Sequence, residues 1–182
     1  MREHMANTIE QEQVSDIIRR ATEEVFTTMI GMSITVGAAY VEQTPPEHFD
    51  GVVSFIGLAG DWAGTGSLCC SSEFACRISS SFLMTKIEVV DEQVLDAVGE
   101  LTNMVIGNVK NEMEAHLGPM GLSIPTVIHG RNFAARSLGR DAWTVVPFSS
   151  GDDRLQVKLC LTPKERTSVH EHGVRPKAFI LA

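Results

Sequence analysis

The 182-residue sequence lacks the features that mark several large classes of protein. It has only four cysteines and no C-x-x-C pair, which disfavours a disulfide framework or a zinc ribbon. It has no cluster of lysine and arginine, and its net charge of −8 disfavours sequence-independent binding to phosphate backbones. Its longest uncharged run, residues 25–41, is short for a membrane span, and residues 1–13 contain no apolar signal segment. We therefore expect a soluble, cytoplasmic protein that binds neither nucleic acid nor membrane.

The overall amino-acid composition is typical of a globular domain. The sequence is 43% hydrophobic and 21% charged, and it is long enough to bury a sizeable core as one domain or one duplicated domain. The cysteines are expected to be buried, reduced thiols. His170 and His172 lie two residues apart in a polar tail with no third ligand nearby, so no metal site is predicted.

The most informative segment is residues 96–110, which have helical periodicity. Five residues share a stripe roughly 80° wide on one helix face: Asp96, Glu100, Asn103, Gly107 and Lys110. The opposite face is apolar and suits a core: Val94, Val98, Leu101, Val105 and Val109. Because glycine inside a helix costs about 1 kcal/mol relative to alanine, Gly107 on the polar stripe suggests that another surface comes close there.

The rest of the chain shows alternating helical and strand-like segments. Helices are predicted at residues 8–29, from Ser71 or Ser72 to residue 84, and from Asp91 or Glu92 to the Gly118-Pro119 pair. Strands are predicted at residues 34–41, 52–59, 64–70, 124–128, 143–148 and 155–161, with hairpin turns at Gly60-Asp61 and Gly151-Asp152. The apolar run at residues 178–181 is a candidate edge strand.

The chain also shows signs of an internal repeat. A shift of 76 residues lays residues 24–31 over residues 100–107, and shifts of 91–93 relate the two predicted hairpins. The hairpin matches are residues 52–55 with 145–148, 60–61 with 151–152, and 67–69 with 158–160. In the first copy Glu24 and Thr27 stand where the second has Glu100 and Asn103. A threonine hydroxyl cannot replace the separate donor and acceptor of an amide, so only the second copy carries a complete Glu/Asn pair.

These observations predict a simple domain organisation. Residues 1–7 form an N-terminal tail, residues 8–162 form one domain with halves at about 8–84 and 85–162, and residues 163–182 form a C-terminal tail.

The motif Asp96-x-x-x-Glu100-x-x-Asn103, followed by Gly107-Asn108 and then Pro125, resembles the signature of the CheC/CheX/FliY phosphatases of bacterial chemotaxis. The single complete motif, the long N-terminal helix and the segment SIPTVIHG at residues 123–130 are most similar to CheX. The resemblance implies an α+β fold, a pseudo-symmetric duplicated domain in which long helices pack on an antiparallel β-sheet. It also implies a homodimer.

The resemblance further implies an enzyme that dephosphorylates the aspartyl phosphate of a CheY-like response regulator. Glu100 and Asn103 would be the catalytic residues, and Asp96, Gly107 and Lys110 would contact the partner. The protein would need no cofactor or metal of its own, because the receiver domain supplies Mg²⁺ and a lysine. The alternative is a non-catalytic module of the same fold that only binds the response regulator.

Overall fold

The computed structural model describes residues 9–43, 49–134 and 142–164. Within these ranges the α-helices are α1 (Gln11–Val25), α2 (Ser72–Phe82) and α3 (Glu92–Leu117), and a π-helical turn, Phe26–Ile30, extends α1. The strands are β1 (Thr35–Val36), β2 (Tyr40–Glu42), β3 (Phe49–Gly60), β4 (Trp62–Cys70), β5 (Met120–Leu122), β6 (Thr126–Phe133), β7 (Trp143–Ser150) and β8 (Asp153–Pro163).

The long helix α3 begins and ends where the sequence predicts. The Asp91 carboxylate caps it by accepting a hydrogen bond from the backbone N–H of Val94 at 3.1 Å. Gly118 ends it with a positive φ of 83°, a conformation that glycine adopts readily. The predicted apolar face is confirmed, because its five members are all fully buried: Val94, Val98, Leu101, Val105 and Val109.

The strands form one antiparallel sheet with a pseudo-symmetric order. The path is β1-β7-β8-β4-β3-β5, with β2 also paired to β7 and β6 also paired to β3. The hairpins β3–β4 and β7–β8 therefore lie side by side through β4 and β8. The short strands that precede each hairpin pair with the hairpin of the other half, so each half completes the sheet edge of its counterpart. The predicted fold class is confirmed, while the predicted domain boundaries stay predictions.

Several predicted strands have different limits. The segment predicted as one strand at residues 34–41 is divided into β1 and β2, and between them Gly37 donates its N–H to the Pro147 carbonyl at 2.8 Å. Ile124 and Pro125 were predicted as strand but precede β6, because a proline at the start of a strand has no N–H for the ladder. Strand β5 was not predicted. The candidate edge strand at residues 178–181 lies outside the described residues.

The strand register corrects one of the repeat matches. Ser67 lies opposite Phe55, whereas Lys158 lies opposite Val145. If Ser67 and Lys158 are equivalent, Val145 corresponds to Phe55 and not to Val52, three residues away. Short runs of valine and phenylalanine fit any buried strand, and only the ladder fixes which residues are equivalent.

Helix α3 packs against the sheet, and its approach to β4 is especially close at Gly66. A Cβ atom added to Gly66 would lie 2.8 Å from three side-chain atoms of Ile106, so the missing side chain lets the helix approach the sheet. On its other flank, α3 is joined to α1 by an ion pair of 2.6 Å between Arg20 and Glu112. These contacts fix the orientation of the polar stripe.

The four cysteines are buried and none forms a disulfide, as predicted. Burial raises the pKa values of the Cys69 and Cys70 thiols, which keeps both protonated at neutral pH.

Candidate functional site

The polar stripe of α3 lies beside the edge of the sheet formed by β5 and β6. A Cβ atom built on Gly99 would lie 3.3 Å from the Val127 side chain, and one built on Gly107 would lie 3.8 Å from the Leu122 side chain. Asn103 lies four residues from each glycine, about 6 Å along the helix axis in either direction. The turn that carries Asn103 therefore faces the connection between β5 and β6.

Glu100 and Asn103 are an acid and an amide on α3, and both side chains are at least partly accessible to a partner. Glu100 is exposed and Asn103 is half-buried. Neither forms a side-chain hydrogen bond or ion pair with another residue that the structure describes. Two other polar residues further along the helix are paired, Glu112 with Arg20 and Lys110 with Glu114. A rigid helix thus presents an acid and an amide, three residues apart on one face, to whatever docks there.

The three residues predicted to contact the partner have different surroundings. Asp96 is exposed and has no partner among the described residues. At Gly107 the space for a methyl group is open apart from an ordinary contact with Leu122, so nothing within the described chain requires glycine there. The interpretation that a partner comes close at Gly107 is consistent with this space and stays a prediction.

Lys110 has a contact within the chain that sequence reasoning missed. Its Nζ lies 2.8 Å from Oε1 of Glu114, and its side chain is only 17% exposed. The same carboxylate oxygen accepts the backbone N–H of Met120 at 2.8 Å, at the start of β5. These hydrogen bonds, first that from Lys110, lower the pKa of Glu114. Lys110 therefore joins the end of α3 to β5, and its contact with a partner stays a prediction.

The connection between β5 and β6 is also part of the site. The Ser123 hydroxyl accepts the N–H of Gly57 at 2.8 Å and donates to the Ile124 carbonyl at 3.0 Å. Pro125 lies against α3, because its Cβ atom is 3.9 Å from the position that a Cβ atom built on Gly99 would occupy. Sequence reasoning missed this loop by assigning Ile124 to a strand, although Pro125 was the available signal for an irregular segment.

The corresponding position in the first half carries no such pair. Glu24 lies in the last turn of α1 and is exposed, and Thr27 is exposed within the π-helical turn. Of the two repeat positions, only the one on α3 carries the Glu/Asn pair.

The described ranges contain neither a candidate metal cluster nor a membrane-spanning helix. No group of three or more His, Cys, Asp or Glu side chains there could hold a metal ion. His170 and His172 lie outside these ranges. Among the described helices, none is long and apolar enough to cross a membrane.

Comparison with known proteins identifies the family. The profile of the family described as "Chemotaxis phosphatase CheX" matches residues 52–149, which include all of α3. The chain belongs to the CheX family. It is 34% identical over 90 residues to "CheY-P phosphatase CheX" of Thermotoga maritima. That alignment covers 48% of this chain and 57% of the relative, so the match spans little more than half of the curated relative's length.

Solved structures of related proteins share the fold. A CheC-like superfamily protein from Shewanella sp. PV-4 is 26% identical with a TM-score of 0.73, over 82% of this chain and 97% of that one. The CheX of a CheX–CheY–BeF₃–Mg²⁺ complex from Borrelia burgdorferi has a TM-score of 0.67 at 20% identity, over 85% of this chain and 99% of the other. At that identity the second comparison shows the fold alone.

Proposed function

We propose that this protein is a phosphatase that removes the phosphoryl group from the aspartate of a CheY-like response regulator. Membership in the CheX family supports the proposal, as does the name of the Thermotoga relative, a CheY-P phosphatase. The observation that carries it is the pair on α3: an exposed Glu100 and a half-buried Asn103, neither engaged by another described residue.

In the proposed reaction the phosphatase only has to position the attacking water. Water attacks phosphorus in line, the bond between phosphorus and the aspartyl oxygen breaks, and the aspartate leaves as a carboxylate. The receiver's own Mg²⁺ and lysine offset the charge on the phosphoryl oxygens, so the phosphatase contributes positioning. The Asn103 side-chain oxygen accepts a hydrogen bond from the attacking water and fixes its approach.

Glu100 acts on the partner. Its carboxylate accepts a charge-assisted hydrogen bond from the receiver's active-site lysine and so places Asn103 against the phosphoryl group. Neither residue is a nucleophile, and the protein contributes no metal.

The proposal also covers the cellular compartment and the oligomeric state of the protein. We place the protein in the cytoplasm, which its buried, reduced cysteines support because cytosolic thiols stay reduced. We also propose that it acts as a homodimer, on the basis of the resemblance to CheX, and light scattering of the purified protein measures this directly.

The decisive experiment times the loss of phosphate from the organism's CheY-like receivers, charged with a small-molecule phosphodonor. Wild type is compared with Asn103→Ala and with Asn111→Ala, a matched control at an exposed asparagine eight residues further along the same helix. Wild type and Asn111→Ala should accelerate the loss, and Asn103→Ala should lose about 100-fold or more of that acceleration while keeping its melting temperature. Binding without acceleration by wild type would instead favour the non-catalytic binding module.

A further inference from the structure

Ile124 is an apolar side chain held in solvent. It is 89% exposed, whereas most of the large aliphatic residues in the described chain are buried in the core. Single exposed apolar residues are common on protein surfaces, so exposure alone carries no function. Two further observations, the rigidity of its loop and its position, distinguish Ile124.

The loop that carries Ile124 is fixed on both sides. On one side, Ser123 forms two hydrogen bonds with Gly57, one through its backbone N–H at 2.9 Å and one through its hydroxyl at 2.8 Å. The same hydroxyl donates to the Ile124 carbonyl at 3.0 Å. On the other side, Pro125 restricts the backbone of the residue before it. The side chain is therefore presented from a fixed backbone, which lowers the entropy cost of burying it against a partner.

The position of the loop relates Ile124 to Asn103. Leu122 at one end lies near Gly107, and Pro125 at the other lies near Gly99. Because Asn103 is midway between these glycines, the loop runs beside the turn of α3 that carries it. A protein domain that brings a phosphorylated aspartate to Asn103 therefore approaches this loop as well.

We propose that Ile124 is an apolar anchor that the receiver domain buries when its phosphorylated aspartate reaches Asn103. This inference rests on the proposed phosphatase function. Glu100 and Asn103 supply the polar recognition of the phosphorylated site, and Ile124 supplies apolar contact area at its margin. The receiver is the occupant in preference to a second copy of this chain, because a copy seated on Ile124 would also cover Asn103.

The test separates binding from catalysis with Ile124→Ala and a matched control. Val89→Ala is a suitable control because Val89 is also β-branched and is 76% exposed. Val89 precedes α3 and lies far from the site, since the Asp91 cap at the start of α3 is about 18 Å from Asn103 along the helix axis. Affinity is measured for the receiver held in its activated state by beryllofluoride and Mg²⁺, and KM and kcat are measured with the phosphorylated receiver. Light scattering and thermal unfolding are recorded for each variant.

Ile124→Ala should raise both Kd and KM about tenfold or more and leave kcat within about twofold, while Val89→Ala changes neither. An active Ile124→Ala protein with unchanged KM would overturn the inference, as would a loss confined to kcat. A change in oligomeric state caused by Ile124→Ala would assign the residue to self-association and also overturn it. A wild-type protein that neither binds nor dephosphorylates any receiver would overturn the proposed function itself, and that result is visible before any variant is made.

Discussion

Ser123 and Gly57 are joined by a reciprocal pair of hydrogen bonds, one from the Ser123 N–H to the Gly57 carbonyl and one from the Gly57 N–H to the Ser123 hydroxyl. Their lengths are 2.9 and 2.8 Å. The loop beside Asn103 is thereby anchored to β3, in the sheet. The candidate site consequently combines two rigid parts, a helix that carries the polar pair and a loop held by the sheet.

Ser123→Ala is expected to loosen this loop. The substitution leaves the backbone bond to Gly57 but removes both bonds of the hydroxyl, from the Gly57 N–H and to the Ile124 carbonyl. The expected cost is about 1–2 kcal/mol in the free energy of unfolding. Receiver affinity should fall severalfold because Ile124 loses its fixed position. Urea unfolding and titration with the activated receiver measure the two effects, and Ser81→Ala, at an exposed serine on α2, is the control. Unchanged affinity in a correctly folded variant would contradict this account of the loop.

Gly107→Ala should separate stability from function. An added methyl group has room, with its nearest contact 3.8 Å away at Leu122, and alanine in a helix interior is about 1 kcal/mol more favourable than glycine. The variant should therefore unfold at higher urea concentration. If a partner comes close at Gly107, receiver affinity should fall about tenfold at the same time. A stabilised variant with normal affinity would place Gly107 outside the interface.

Glu100→Gln should weaken binding more than turnover. The substitution keeps the shape of the side chain and removes the charge that would attract the receiver's lysine. Receiver affinity should fall about tenfold at low salt, and its dependence on salt concentration should become weaker than that of wild type. Titrations at two ionic strengths measure this, with Glu73→Gln, an exposed acid on α2, as the control. A loss of kcat with normal affinity would instead place Glu100 in the chemical step.

Glu114→Gln should show a pH-dependent loss of stability. Hydrogen bonds from Lys110 and then Met120 lower the Glu114 pKa from its ordinary value of 4.5 in the folded protein. A lowered folded-state pKa means that the carboxylate stabilises the fold above about pH 4.5 and that this contribution is lost as the pH falls through the folded-state value. The difference in melting temperature between wild type and Glu114→Gln should therefore be present at pH 7 and shrink below pH 4.5. A difference that does not vary with pH would indicate a contribution independent of charge.

Gly66→Ala should destabilise the contact between α3 and the sheet. Its Cβ would lie 2.8 Å from Ile106 atoms inside a packed core, which costs about 1–3 kcal/mol in the free energy of unfolding. Ile106→Ala alone should cost about 2–5 kcal/mol because it leaves a cavity. The double variant should cost less than the sum of the two, since the new methyl group partly fills that cavity. Urea unfolding of all four proteins tests this, and strict additivity would show that the two sites do not interact.

The sequence by itself determined the helix that carries the candidate site. Acidic residues at the start of the helix, Gly118 as a stop and the apolar series from Val94 to Val109 are local signals, and all three are confirmed. They act within a few residues along the chain, so periodicity alone separates the buried face from the face that holds Glu100 and Asn103. Hairpin turns at Gly60 and Gly151 were predicted for the same reason.

Only the tertiary structure decided what surrounds that helix. The exchange of short strands between the two halves, the contact of Lys110 with Glu114 and the exposure of Ile124 on a loop fixed by Gly57 all depend on segments distant in sequence. Strand pairing and register depend on which ladder partner lies opposite, and a four-residue pattern fits several partners equally well. The polar pair can therefore be read from one helix, whereas the surface that completes the site arises only when β3, β5 and β6 come together beside it.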